Sequence, residues 1–114
     1  MTEGVAVIRN KLGMHARPAS VFVQKASSFK SKIQIRAKGR VCDAKSILMV
    51  MSMGLVNNTE VTIIADGSDE REAVVELKAL IDSAFGEEVG FGDEATERRK
   101  VRKGNIDARL RAQL

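Results

Sequence analysis

The sequence has 114 residues, with 44% apolar and 30% charged side chains, which fits one domain around a single core and leaves little for a second. Its longest unbroken apolar run, from Ile47 to Met51, is far short of the ~20 residues of a membrane span. A lone cysteine excludes an internal disulfide, and the formal charge of +4 is concentrated at one end of the chain: residues 1 to 88 hold 12 basic and 11 acidic side chains, residues 89 to 114 hold 7 and 4.

The short β-branched stretch Val5 to Ile8, after Gly4, predicts a first strand and resembles no secretory signal. A loop with Gly13 leads into a helix carrying Ala19, Phe22, Val23 and Ala26 at the i, i+3, i+4, i+7 spacing of one face, with Pro18 in its first turn. Ile33 to Ala37 alternates with period two, and Lys38-Gly39 turns it into the short strand Arg40 to Cys42, a hairpin. Ser46 suits the N-cap of a helix over Ile47 to Met51, and Gly54 suits its end. Glu60 to Ala65 predicts the strongest strand. Ser68 or Asp69 then caps a last helix, with Ala73, Val74, Leu77, Leu80, Ile81, Ala84 and Phe85 on its apolar face and Gly86 at its stop.

The order β-α-β-β-α-β-α, with a hairpin inside it, argues against a doubly wound parallel sheet. It predicts an α+β fold in which a four-stranded antiparallel sheet carries three helices on one face. The domain is expected over residues 1–88. Residues 89–114 form a basic extension, helical or disordered, with bulky apolar residues too sparse to add a core layer, so it is expected to be dispensable.

The single histidine, His15, falls where the glycine-containing loop meets the helix start. Free backbone N–H groups and the positive end of the helix dipole make such a place an anion site, and Arg17 adds planar donors suited to phosphoryl oxygens. A neutral imidazole there has a nitrogen lone pair able to attack phosphorus. No triad or metal-ligand spacing accompanies it, and no metal or cofactor is expected. Cys42 and the methionines at 49, 51 and 53 are expected to pack, with the methionines also giving an adaptable surface.

The run Asn10-Lys11-Leu12-Gly13-Met14-His15-Ala16-Arg17-Pro18-Ala19-Ser20 closely resembles the active-site motif of the HPr family, the histidine-containing phosphocarriers of the phosphoenolpyruvate-dependent sugar phosphotransferase system. Ala44-Lys45-Ser46-Ile47-Leu48 and Gly54-Leu55 resemble the start and close of that family's second helix. The resemblance spans about residues 3 to 87 and implies an open-faced β-sandwich. It implies that His15 is phosphorylated on Nδ1 by phospho-enzyme I, that Arg17 contacts the phosphoryl group, and that Ser46 matches a serine phosphorylated by an HPr kinase/phosphorylase in some members. Ile47, Leu48 and Met51, with Ser20 of the first motif, match the surface that docks on enzyme I and on IIA domains of sugar permeases. The chain departs from the pattern at Met14, where Leu or Ile is commoner, and in the tail from about Val89.

The lone cysteine points to a reducing, cytoplasmic setting and a monomer is expected, while the resemblance implies a carrier phosphorylated as an intermediate and without turnover of its own. Two other readings stay open: a carrier in a nitrogen-related regulatory phosphorelay, and a Ser46-phosphorylated co-effector of transcription. Nucleic-acid binding through Arg98-Arg99-Lys100 and Arg102-Lys103 is the weakest reading, since charge alone does not specify it.

Overall fold

A computed structural model describes residues 1–90, in the element order expected from the sequence. The elements are β1 (Thr2–Val7), α1 (Ala16–Ser27), β2 (Lys32–Ala37), β3 (Arg40–Asp43), α2 (Ile47–Ser52), β4 (Glu60–Asp66) and α3 (Glu70–Asp82). The strands form one antiparallel sheet in the order β1-β4-β2-β3, an α+β arrangement. Alternation decides which face meets the helices. Ile33, Ile35 and Ala37 of β2 and Val61, Ile63 and Ala65 of β4 point into the core, whereas Lys32, Arg36 and Glu60 face solvent.

The core closes around Ile8, Phe22, Ile33, Ile35, Val50, Ile63, Leu77 and Ile81, all essentially inaccessible. Removing each such side chain from water contributes about 1.5–3 kcal/mol, so an aliphatic interior holds the fold without Trp or Tyr. Of the expected α1 face, Ala19, Phe22 and Ala26 are buried and Val23 is half-buried. The β2–β3 loop has two residues, Lys38 (φ 55°) and Gly39 (φ 74°). Positive φ at both positions is the type I′ signature that matches the twist of the flanking strands.

Three local features depart from the sequence reading. β1 begins earlier and ends at Val7, and Ile8 leaves the strand to donate its N–H to the Thr59 carbonyl (2.9 Å). Asp69 is the N-cap residue of α3, yet its carboxylate caps nothing. It accepts instead from Lys30 N (2.8 Å), Ser31 N (2.9 Å) and Ser31 Oγ (2.5 Å), clasping the α1–β2 connection. The Ser31 hydroxyl and these backbone donors hold its carboxyl well below the usual range, at about 2.

The third difference bears on the site. α3 does not run to Gly86; it stops at Asp82, with Ser83 as its C-cap. Ala84 (φ 59°) and Phe85 (φ 55°) then take left-handed conformations in a short 3₁₀ turn, Ala84–Gly86. Both stay buried, as the apolar pattern requires, but they reach the core by reversing the chain instead of extending the helix. Left-handed backbone costs a non-glycine residue roughly 1–2 kcal/mol. Burial of the Phe85 ring offsets that cost and sends the following residues back toward α1.

The chain then runs over the β1–α1 loop. Lys11 N donates to the Glu88 carbonyl (2.7 Å), Gly90 N donates to the Arg9 carbonyl (2.8 Å), and Asn10 and Val89 form an antiparallel bridge. Val89 and Gly90, grouped with the extension on sequence, thus lie on the folded domain. The rest of that extension, with its arginine and lysine cluster, lies outside the described residues.

Candidate phosphoryl-transfer site

The loop between β1 and α1 is fixed by contacts that leave its glycine little choice. Gly13 sits at φ +72°, and a Cβ there would fall 2.7 Å from the Leu55 carbonyl oxygen and 2.9 Å from Val56 Cα. Met14 N donates to the Leu55 carbonyl (2.7 Å), seating the Met14 side chain in the core and His15 just outside it. Asn10 braces the loop from within: its Nδ2 donates to the Gly13 carbonyl (2.5 Å), and Gly13 N donates to the Asn10 carbonyl (3.0 Å). Asn57 Nδ2 spans Arg9 O (3.1 Å) and Gly90 O (3.2 Å), tying the loop to the returning chain.

His15 is the N-cap residue of α1, with extended backbone, and its side chain caps no backbone N–H. Its carbonyl accepts from Ala19 N (2.9 Å), while Pro18 has no hydrogen to satisfy. The first turn holds no acidic residue to balance the dipole and Arg17. The balancing charge comes from Glu87, 72 residues away. His15 Nε2 lies 3.0 and 3.1 Å from its two carboxylate oxygens. Arg17 donates to Oε2 from Nε (2.8 Å) and Nη2 (2.6 Å), and to the Phe85 carbonyl from Nη2 (3.0 Å). Asn10 Nδ2 completes the set at 2.9 Å from Oε1.

The Glu87 side chain is only 15% exposed, against 36% for His15. Burial by itself pushes its pKa up, but the hydrogen bonds from His15, Asn10 and Arg17 outweigh that and leave it lowered. An anion at this place is therefore favoured. A pocket of about 250 Å³ opens beside it, lined by Lys11, Leu12, His15, Glu87 and Glu88. The arrangement combines an accessible imidazole, a guanidinium and a helix N-terminus, a set suited to holding a phosphoryl group on a ring nitrogen.

Sequence reasoning placed His15 and Arg17 together, and the fold brings them onto one carboxylate. It missed Glu87 and the bracing role of Asn10. Nothing in local spacing marks a glutamate after a helix stop as the partner of a histidine 72 residues earlier; only the left-handed turn at Ala84–Gly86 delivers it.

Ser46 caps α2 as expected, its Oγ accepting from Met49 N at 3.3 Å. On that helix Val50 is buried, whereas Ile47, Leu48 and Met51 are exposed, Leu48 by 80%. Leu12 and Val56 are exposed as well. Ser20 is half-buried on α1, which packs against α2. Cys42 is buried, and that burial pushes its thiol pKa up, away from reactivity. Among the described residues no group of three or more His, Cys, Asp or Glu side chains is placed to hold a metal ion, and no helix is long and apolar enough to cross a membrane.

Comparison with known proteins agrees with this geometry. The family model described as "PTS HPr component phosphorylation site" matches residues 2–83. The phosphocarrier protein HPr of Mycoplasma capricolum is 45% identical over 86 residues, covering 75% of this chain and 97% of that protein. The HPr-like protein Crh of Bacillus subtilis is 42% identical over 81 residues, covering 71% and 95%. A crystal structure of HPr-C-His from Thermoanaerobacter tengcongensis superposes with a TM-score of 0.74 at 46% identity, covering 77% of this chain and 99% of that one. With the matching fold, these similarities place the chain in the HPr family, the phosphocarriers of the phosphotransferase system.

Proposed function

We propose that the protein relays a phosphoryl group through His15 in sugar uptake, taking it from phospho-enzyme I and handing it to a IIA domain. The observation that carries this reading is His15 itself, an accessible imidazole at the start of α1 whose Nε2 is held by Glu87 and whose Nδ1 is engaged by no described residue. Arg17 bonds to the same Glu87 carboxylate that holds the ring. The partners dock, in this reading, on the exposed apolar patch of Ile47, Leu48 and Met51 and on Ser20 of the neighbouring α1, and the carrier acts as a single copy in the cytoplasm. Incubation with phosphoenolpyruvate and enzyme I tests the assignment: one acid-labile phosphoryl group per chain is expected, and none would overturn it.

The likeness to Crh and the exposed start of α2 favour a second, regulatory reading in which Ser46 is the site of an ATP-dependent kinase. A negative charge at an N-cap is favourable to the helix but borders the apolar patch. Ser46→Asp is therefore expected to melt no earlier than wild type and to show a raised apparent KM for enzyme I. Equal kinetics for the two proteins would mean that this surface does not meet enzyme I.

The extension is proposed to be dispensable for transfer. Its start is set by the bonds of Gly90 to Arg9 and Asn57, which belong with the loop that carries His15. Truncation after Gly90 is expected to keep melting temperature and transfer rate near those of the full chain. A shorter cut after Glu88 removes those bonds and is expected to lower the melting temperature; a full-length rate lost on cutting after Gly90 would give the extension a part in transfer.

A further inference from the structure

We propose that Glu87 is a positioning residue for phosphoryl transfer: it holds the Nε2 hydrogen of His15, so that the lone pair lies on Nδ1, and it keeps Arg17 beside the ring until a phosphoryl group displaces it. The inference rests on the reading of His15 as the acceptor and adds a residue that the sequence motif does not contain.

Four donor atoms from three residues of one stretch, the β1–α1 loop and the first turn of α1, converge on this carboxylate: His15 Nε2, Asn10 Nδ2, and Arg17 Nε and Nη2. An ionised carboxylate only accepts hydrogen bonds. Nε2 lies 3.0 and 3.1 Å from the two carboxylate oxygens and has no other partner among the described residues, so it must carry the hydrogen, and the neutral ring then has its lone pair on Nδ1. Asn10 is fully buried and holds Glu87 in turn, so the carboxylate is anchored from the core side. The backbone on either side of it is tied as well, by the Arg17 bond to the Phe85 carbonyl and by Lys11 N on the Glu88 carbonyl.

The transfer step gives this geometry its consequence. The Nδ1 lone pair forms the new nitrogen–phosphorus bond while the bond between phosphorus and the donor atom breaks, its electron pair leaving with the donor. The Nε2 hydrogen stays in place, and the ring gains a positive charge. The group nearest to that charge is the Glu87 carboxylate. The incoming phosphoryl oxygens compete with the same carboxylate for the Arg17 guanidinium, whose Nε and Nη2 donors are engaged by Glu87 and Phe85 before transfer. Glu87 thus orients the nucleophile, neutralises the ring and releases the arginine within one step.

The test uses the full chain and its Glu87→Gln and Glu87→Leu variants. Imidazole ¹⁵N resonances of the unphosphorylated proteins at high pH report which ring nitrogen carries the hydrogen. Transfer kinetics from phosphoenolpyruvate and enzyme I report the rate. Wild type is expected to carry the hydrogen on Nε2. Glu87→Gln retains an acceptor oxygen but no charge, and is expected to keep that pattern and to lose roughly tenfold in kcat with the KM for enzyme I unchanged. Glu87→Leu offers no acceptor and is expected to show averaged nitrogen shifts and a kcat lower by on the order of a hundredfold. A Leu variant with wild-type ¹⁵N shifts and wild-type kcat would overturn the role of Glu87 while leaving His15 as the acceptor. Failure of the wild-type protein to accept a phosphoryl group would instead remove the acceptor reading, and the ¹⁵N pattern would still report on the Glu87 contact.

Discussion

His15→Ala is expected to abolish phosphoryl acceptance while the domain stays folded. The imidazole lies outside the core, caps no backbone group, and bonds only through Nε2 to Glu87 among the described residues. Its loss leaves the Glu87 carboxylate with two donors, Asn10 and Arg17, so the carboxylate is not stranded. The melting temperature should therefore move by no more than a few degrees, in line with a change of about 1 kcal/mol or less at a partly exposed site. Mass spectrometry of the variant under non-acidic conditions, after incubation with phosphoenolpyruvate and enzyme I, checks the result. A phosphoryl group on the variant would move the site to another residue.

Arg17→Ala is expected to slow transfer by about 10- to 1000-fold, up to the loss of about a hundred- to a thousandfold typical of removing one buried donor to developing charge. The guanidinium is about half exposed, and its Nε and Nη2 donors are engaged with Glu87 and the Phe85 carbonyl before transfer. Its removal leaves the α1 N-terminus to hold the phosphoryl oxygens alone. It also leaves Glu87 facing an incoming dianion with less positive charge nearby, so the loss should exceed that of Arg17→Lys, which keeps a charge but not the planar donor pair. Single-turnover rates from phosphorylated enzyme I make the measurement, and an unchanged rate for Arg17→Ala would remove the arginine from the reaction.

The two predictions rest on features of different legibility. The placement of His15 and Arg17 is readable because it is local: a glycine, a histidine, an arginine and a helix start within six residues put both side chains at a helix N-terminus, and their proposed role in transfer follows from that placement. The strand and helix order was readable for a similar reason, since period-two stretches such as Ile33 to Ala37 and the α1 face record their own burial. Ser46 was readable as a cap because capping acts over three residues.

What escaped was set by tertiary contact. Ala84 and Phe85 continue the apolar spacing of α3, so periodicity extends the helix through them. The fold buries the same two side chains by a left-handed reversal, and no pattern of apolar positions separates the two solutions. Asp69 has the residue type and place of a helix cap, yet the Lys30 backbone and the backbone and hydroxyl of Ser31 offer its carboxylate three donors at once, and those prevail. Glu87 stands beside Glu88, and composition cannot tell which of the pair turns inward.

The reversal at Ala84–Gly86 also decides when the site comes into being. The sheet and its three helices are complete by Asp82, whereas the carboxylate that gathers His15, Asn10 and Arg17 arrives five residues later. Closing a segment of that span draws the last described stretch of chain onto one of the first loops, so its formation depends on the framework already standing. A nascent chain that has emerged only as far as α3 can hold the whole sheet and still lack an ordered imidazole. Local opening of residues 84–90 would undo the arrangement again without unfolding the core. Amide exchange at Lys11 and Gly90, whose N–H groups bond across this seam, is thus expected to run ahead of exchange in β4, and the proposed readiness of His15 then rests on the turn at Ala84–Gly86 more than on the sheet.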